Sequence, residues 1–288
     1  MLDLKKDLNY TLSDYDNVLK RILEEGETIP NRTGVDCKVL FGVQCHYNIS
    51  DVFPLPTKRK YYYKSILAEL LWMLSGSTNV NDLEKMNSKI WTAWRNKDFE
   101  SKNNYKDGEF GPIYGYQFRS FGGNYPEKDG FDQLKFVINE LKNNKFSRRA
   151  LINLWDSSKM STDKVILPCC HFSSHFMINS KDQLICVLHQ RSGDWIPGIP
   201  ANIIFYSALT YMLANELNIQ PGKLIHNVDN AHVYVNQIDA ANEYLNREVK
   251  YSCPKLILNK KDIDTYTVDD FIIEGYNHDP FIKVPVMV

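Results

Sequence analysis

Apolar residues recur at helical spacing in some stretches of the chain and alternate, or run together, at strand spacing in others. In 12–25 (LSDYDNVLKRILEE), Tyr15, Val18, Leu19 and Ile22 fall on one helical face, with Ser13 as N-cap and Gly26 as stop. Residues 62–74 predict a strongly apolar helix carrying one acid, Glu69. Residues 81–90 predict a short helix leading into Ile90-Trp91-Thr92-Ala93-Trp94. An amphipathic helix is expected over 131–141, and a long apolar one over 199–217 with Asn202 near its start. Strand patterns lie at 37–43, 150–155, 172–178 and 184–188, the last two joined by the hairpin signal Asn179-Ser180-Lys181-Asp182. The proline-broken 53–59 reads as a loop, and the polar 95–109 as a loop or insertion. Pro221-Gly222 predicts a turn before a strand over 223–227, and Ala231-His232-Val233-Tyr234 the start of a helix running to Leu245. The tail alternates strands and turns. No repeat, low-complexity linker or composition shift divides the chain. The expected organisation is one α/β domain over 1–288, a mixed sheet flanked by helices.

A chain of 288 residues buries a sizeable core, and its 43% hydrophobic and 24% charged residues are ordinary for a soluble protein. The formal net charge of -1 gives no overall pull towards nucleic acid or an anionic membrane, so neither is an expected partner and any anion site must be local. Met1 to Lys6 carries no apolar signal-peptide core, and no apolar run approaches membrane-spanning length. The six cysteines therefore read as reduced thiols, and the expected compartment is the cytoplasm, or a host cytoplasm for a viral protein.

Candidate chemistry centres on Leu167-Pro168-Cys169-Cys170-His171 and on Gln190-Arg191-Ser192-Gly193-Asp194 downstream. A thiolate is a strong nucleophile, and a guanidinium favours it and binds anions in a forked geometry. A cysteine in an apolar run is more often packing than catalysis, so the motif alone decides nothing. Arg32, in the turn Asn31-Arg32-Thr33-Gly34, is either solvated or an anion contact. Glu69 lies either on a solvated helix edge or buried, where a carboxyl's pKa rises into a range useful for proton transfer. Trp91 and Trp94 are core residues or the wall of a pocket for a flat ligand. Gly111 to Gly115 forms a turn presenting Tyr114. Cys169, Cys170, His171 and His175 invite a zinc reading, but no second spaced pair completes a ligand set. Cys170, His232 and Asn202 can be drawn as a cysteine-protease triad, with nothing local in favour. No Gly-rich phosphate loop is present.

Taken in order, Asn31-Arg32-Thr33-Gly34, Glu69-Leu70-Leu71-Trp72, Ile90-Trp91, Gly111-Pro112-Ile113-Tyr114-Gly115, Ser147-Arg148-Arg149, Leu167-Pro168-Cys169-Cys170-His171, Gln190-Arg191-Ser192, Gly198-Ile199-Pro200-Ala201-Asn202 and His232-Val233-Tyr234 resemble the thymidylate synthase family over nearly the whole chain. The resemblance implies that family's fold, with sheets packed face to face in a homodimer, and folate-dependent alkylation of C5 of dUMP. It implies Cys170 as the nucleophile on C6, Glu69 and Tyr114 as proton-handling groups, and His171 lining the pocket. Arg32, Gln190, Arg191 and Ser192 would hold the nucleotide and its phosphate, joined by Arg148 and Arg149 from the partner subunit. Asn202 would pair with N3–H and O4 of uracil, where an Asp would suit cytosine. His232 and Tyr234 match the ribose-binding pair. Ile90, Trp91, Trp94, Asp194, Gly198, Ala201 and the Val288 carboxylate match the side that binds 5,10-methylenetetrahydrofolate. The family's chemistry uses no metal.

Cys169 stands where the family usually has a second proline. Other departures lie on the folate side: Thr92 for the family's Asp, Ala201 for its Phe, Asn230 for the Asp of its Gly-Asp, and His175 for its Gln. These leave a dUMP hydroxymethylase, releasing 5-hydroxymethyl-dUMP and tetrahydrofolate, as an alternative to thymidylate synthase. A catalytically silent nucleotide- or RNA-binding homologue is a more distant one.

Overall fold

A computed structural model describes residues 8–287. Helices α1 (Ser13–Glu25) to α9 and strands β1 (Glu27–Ile29) to β9 follow one another along the chain. After β1 come β2 (Cys37–Asn48), α2 (Tyr63–Leu74), α3 (Val80–Lys85), α4 (Lys97–Asn103), α5 (Tyr114–Arg119) and α6 (Gln133–Asn143). Next are β3 (Leu151–Asn153), α7 (Ser157–Met160), β4 (His171–Ile178), β5 (Gln183–Gln190), β6 (Gly193–Asp194) and α8 (Ile199–Leu217). The chain continues through β7 (Gln220–Tyr234), α9 (Ile238–Asn246), β8 (Lys255–Leu258) and β9 (Phe271–Glu274).

The large sheet runs β1-β2-β7-β5-β4-β3, with β6 also paired to β7. Strands β5 and β6 run parallel to β7 and the other neighbours antiparallel, so the sheet is mixed as expected. Its covered face carries Phe176 and Ile178 on β4, Leu184, Cys186 and Leu188 on β5, and Leu224 and Val228 on β7, all buried in one apolar cluster. Helix α8 is apolar on every face because it lies between this sheet and α2. The opposite face has no covering layer among the described residues. There Met177, Ile185, Val187 and Ile225 remain partly exposed, with Leu151 at 44%.

Helix α1 buries Tyr15, Val18, Leu19 and Ile22, the expected face, although Ser13 makes no cap and Leu12 takes that position. The helix expected over 81–90 stops at Lys85, because Asn87 turns left-handed at φ 59°. The polar stretch 95–109 is not loop throughout. Asn96 caps α4 by accepting from Phe99 N–H, which gives a polar sequence a helical start. Pro221-Gly222 is not a turn, and Ala231 begins no helix: both lie inside the fifteen-residue β7. Flanking strands β2 and β5 satisfy its backbone on both sides. Proline's missing N–H is tolerated at a register shift between Leu184 and Ile185. Gly222 is required there, since a Cβ would stand 2.8 Å from that of Gln183. Helix α9 then starts seven residues later than the pattern suggests, after the tight turn Val235–Gln237.

Candidate active site

Cys170 sits where an irregular segment enters β4, and Arg191 where β5 ends beside it. The two strand ends are adjacent because His171 pairs with Gln190. Arg191 N–H donates to the Cys170 carbonyl at 2.9 Å. Its side chain donates through Nε to the Cys169 carbonyl at 2.9 Å and through Nη2 to the Pro168 carbonyl at 2.8 Å. Nη2 also lies 3.7 Å from the Cys170 sulfur, and the guanidinium stacks 5.5 Å from the centre of Trp155. A fixed cation therefore stands beside a partly exposed thiol. Cys169, one residue earlier, is fully buried, and burial pushes its thiol well up, so it is poorly suited to attack anything.

The tyrosine turn reaches the same point. Gly111, at φ 77°, passes so close to the Lys164 carbonyl that a side chain has no room, and the chain turns into α5 with Tyr114 first. The Tyr114 hydroxyl accepts from Cys170 N–H at 2.7 Å, and its ring stacks on His171 with centroids 4.3 Å apart. Burial, then the neighbouring cysteines, raise its pKa well above the ordinary value, so it remains a neutral phenol. His171 Nδ1 bonds the Tyr206 hydroxyl at 2.8 Å. Burial, with His226 nearby, pushes His171 down to about 3, so it is neutral.

Glu69 lies on the cleft side of α2, accepting from Trp91 Nε1–H. Desolvation raises it to about 7 despite that hydrogen bond. The residue as a whole is only partly buried, but its carboxyl is desolvated as the proton-handling alternative requires. Trp91 also packs edge-on to Tyr114 and 5.4 Å from Trp94, which is more exposed.

On the other side, Gln190 donates to Asn202 Oδ1 at 3.0 Å and to the Ser192 carbonyl at 2.9 Å. Asn202 is held in the first turn of α8, which Gly198 opens by donating to the Asp194 carbonyl. Asp194 pairs with His232 where β6 meets β7. Gln237 donates to one of its oxygens at 2.9 Å while the buried Oδ1 has no partner among the described residues; desolvation raises the carboxyl to about 7. Gln237 also donates to the Pro285 carbonyl, tying the C-terminal segment to this acid. His232 Nδ1 bonds Asn230 Oδ1 at 2.9 Å, and burial lowers its pKa. Tyr234 stands edge-on to His232, with Thr33 and Arg32 of the Asn31–Gly34 turn close by.

The structure thus gathers Cys170, Arg191, Tyr114, His171, Glu69, Trp91, Gln190, Ser192, Asn202, Asp194, His232, Tyr234 and the Arg32 turn along one end of the sheet. Arg148 and Arg149 are not brought there. They precede Leu151, which pairs with His175, and so lie at the far end of β4 from Cys170, about 20 Å along the strand. Both are exposed. Ile90 is 38% exposed, and Ala201 packs partly buried against the core. Val288 lies outside the described residues. Thr92 donates to Glu84, which also binds Arg95, so its hydroxyl is taken up locally. His175 lies on the open sheet face, opposite Leu151. Sequence reasoning missed Trp155, Tyr206, His226 and Gln237. Nothing in their local spacing marks them, because each meets the site only by contact with a neighbour supplied by another element.

The family model described as thymidylate synthase matches residues 13–288. The thymidylate synthase of Malacoplasma penetrans is 38% identical, over 96% of this chain and 100% of its own length. That of Saccharomyces cerevisiae is 39% identical over 95% of this chain and 96% of its own. The human enzyme is 39% identical over 94% and 88%. The chain belongs to the thymidylate synthase family.

Proposed function

We propose that this chain is a thymidylate synthase, converting dUMP and 5,10-methylenetetrahydrofolate into dTMP and dihydrofolate. The observation that carries the reading is the convergence on Cys170 of a cation at 3.7 Å, Arg191, and a phenol hydroxyl, Tyr114, from elements far apart in sequence. In this reading the Cys170 sulfur adds to C6 of the pyrimidine, which makes C5 a carbon nucleophile. Arg191, Ser192 and Arg32 hold the phosphate, and the forked guanidinium suits it. The Asn202 carboxamide pairs with the N3–H and O4 edge, and His232 and Tyr234 meet the ribose. Glu69, raised to about 7, is half-protonated near neutrality and passes protons at the pyrimidine edge. Tyr114, neutral, donates and accepts beside Cys170.

Methylenetetrahydrofolate, when bound, supplies the one-carbon unit and the hydride. The chain's own residues fit such a flat heterocycle: Trp91 and Trp94 offer aromatic faces, and the unpartnered buried oxygen of Asp194 accepts an N–H. Gly198 sets the close turn beneath Asp194. No metal is needed for these steps.

The working unit in this proposal is a homodimer of one-domain chains in the cytoplasm. The open apolar sheet face supports it, as does the distance of Arg148 and Arg149 from Cys170 of their own chain. Two copies joined face to face let those arginines serve the partner's phosphate site. The hydroxymethylase alternative rests on Ala201, since Thr92 and Asn230 are engaged with Glu84 and His232. Incubation with 5-fluoro-dUMP and methylenetetrahydrofolate tests the chemistry: a covalent adduct on Cys170 is expected, and its absence contradicts both enzyme readings.

A further inference from the structure

His226 is a buried histidine with no part in the chemistry above. It lies on β7, its side chain fully enclosed, one strand away from Gln190. Its Nε2 is 2.9 Å from Gln190 Oε1, and its Nδ1 has no partner among the described residues. Burial, with His189 nearby, pushes it down to about 3, so it is neutral and carries one proton.

The direction of every bond in this chain of amides follows from one fixed acceptor. The Ser192 carbonyl can only accept, so the atom of Gln190 facing it is the NH2 group. The same NH2 faces Asn202, which must present Oδ1. Gln190 Oε1 is then left facing His226, which must present Nε2–H. With Oδ1 turned to Gln190, Asn202 keeps a lone pair of Oδ1 for a donor and Nδ2 for an acceptor. That is the pattern complementary to N3–H and O4 of uracil. The reversed amide, which would suit N3 and the N4 amine of cytosine, would set two donors against each other at Gln190.

We propose that His226 is a positioning residue which, through Gln190, fixes the orientation of the Asn202 carboxamide and so enforces the choice of uracil over cytosine. The proposal rests on the reading of Asn202 as the base-recognising residue of a dUMP enzyme. Two devices hold Gln190, the Ser192 carbonyl and the His226 donor. Removing the second leaves Oε1 buried without a donor and lets the amides reorient.

The test measures selectivity as the inhibition constant for dCMP over the Michaelis constant for dUMP. His226→Leu is expected to lower that ratio about tenfold, a value in keeping with one buried hydrogen bond. His226→Gln, whose amide can donate in the same place, is expected to restore it to within about threefold. A merely structural role would lower the unfolding midpoint in both variants and leave the ratio alone. A folded leucine variant with native selectivity overturns the proposal. A second measurement uses the native chain: ¹⁵N-histidine NMR should show His226 as the neutral Nε2–H tautomer, and the Nδ1–H tautomer overturns the relay even where the leucine variant does not fold. Failure of the native protein to turn over dUMP would overturn the underlying reading, which selectivity in the variants does not address.

Discussion

The Arg191 guanidinium lies 3.7 Å from the Cys170 sulfur while donating to the carbonyls of Cys169 and Pro168. The cation is thus locked to the segment that carries the thiol. Lysine keeps the charge but has no planar fork, so it cannot hold both carbonyls and still meet a phosphate. Arg191→Lys is expected to lower kcat/KM for dUMP by about a hundredfold or more, with both KM and kcat affected. Steady-state kinetics with varied dUMP check this.

Glu69 gives a pH signature. Its carboxyl titrates near 7 in the folded chain against an ordinary 4.5, because burial disfavours the charge. Between those values the unfolded chain has lost this proton and the folded chain has kept it. The stability that Glu69 contributes therefore falls as pH rises from 4.5 to 7 and is level above. Glu69→Gln lacks the charge, so its stability relative to native should increase over that window by roughly 3 kcal/mol. Urea unfolding of both proteins at acid and alkaline ends of the window measures the difference, and comparison with native cancels the similar effect of Asp194. The same variant should lose activity, together with the share of any rate inflection near 7 that Glu69 supplies.

Asn202→Asp changes base recognition. A carboxyl places an oxygen acceptor where the amide has its Nδ2 donor, which suits the N4 amine of cytosine and not O4 of uracil, and its protonated oxygen can donate to N3. Turnover of dUMP should drop by about a hundredfold, and dCMP should become the better ligand. Competition between the two nucleotides reads the switch.

Arg148 and Arg149 provide a test of subunit sharing. A chain with Cys170→Ser and a chain with both arginines changed to alanine should each be inactive. Unfolded together and refolded, they should recover up to about a quarter of native activity, since half the dimers are mixed and each has one whole site. No recovery from a properly refolded mixture would count against shared sites.

Much of this was legible in the sequence. The faces of α1, the bounds of α8 and the hairpin between β4 and β5 follow from periodicity, because each is stabilised by its own apolar pattern. The continuous β7 was not legible. Its proline, glycine and late polar residues look like turn signals, and only pairing with β2 and β5 overrides them. Helix α4 was hidden because its sequence is polar and its cap, Asn96, is common in loops. The site was legible where motifs mark it, at Cys170, Arg191 and Asn202. Residues that touch the site only through others, such as His226 on Gln190 and Gln237 on Asp194, reveal themselves only when distant parts of the chain lie side by side.

The most direct measurement mixes the purified protein, dUMP and methylenetetrahydrofolate, and follows near-ultraviolet absorbance together with product mass. The expected result is dTMP and dihydrofolate with rising absorbance, abolished in Cys170→Ser by at least about a thousandfold. Formation of 5-hydroxymethyl-dUMP and tetrahydrofolate without that rise, or undiminished turnover in the serine variant, would contradict the account.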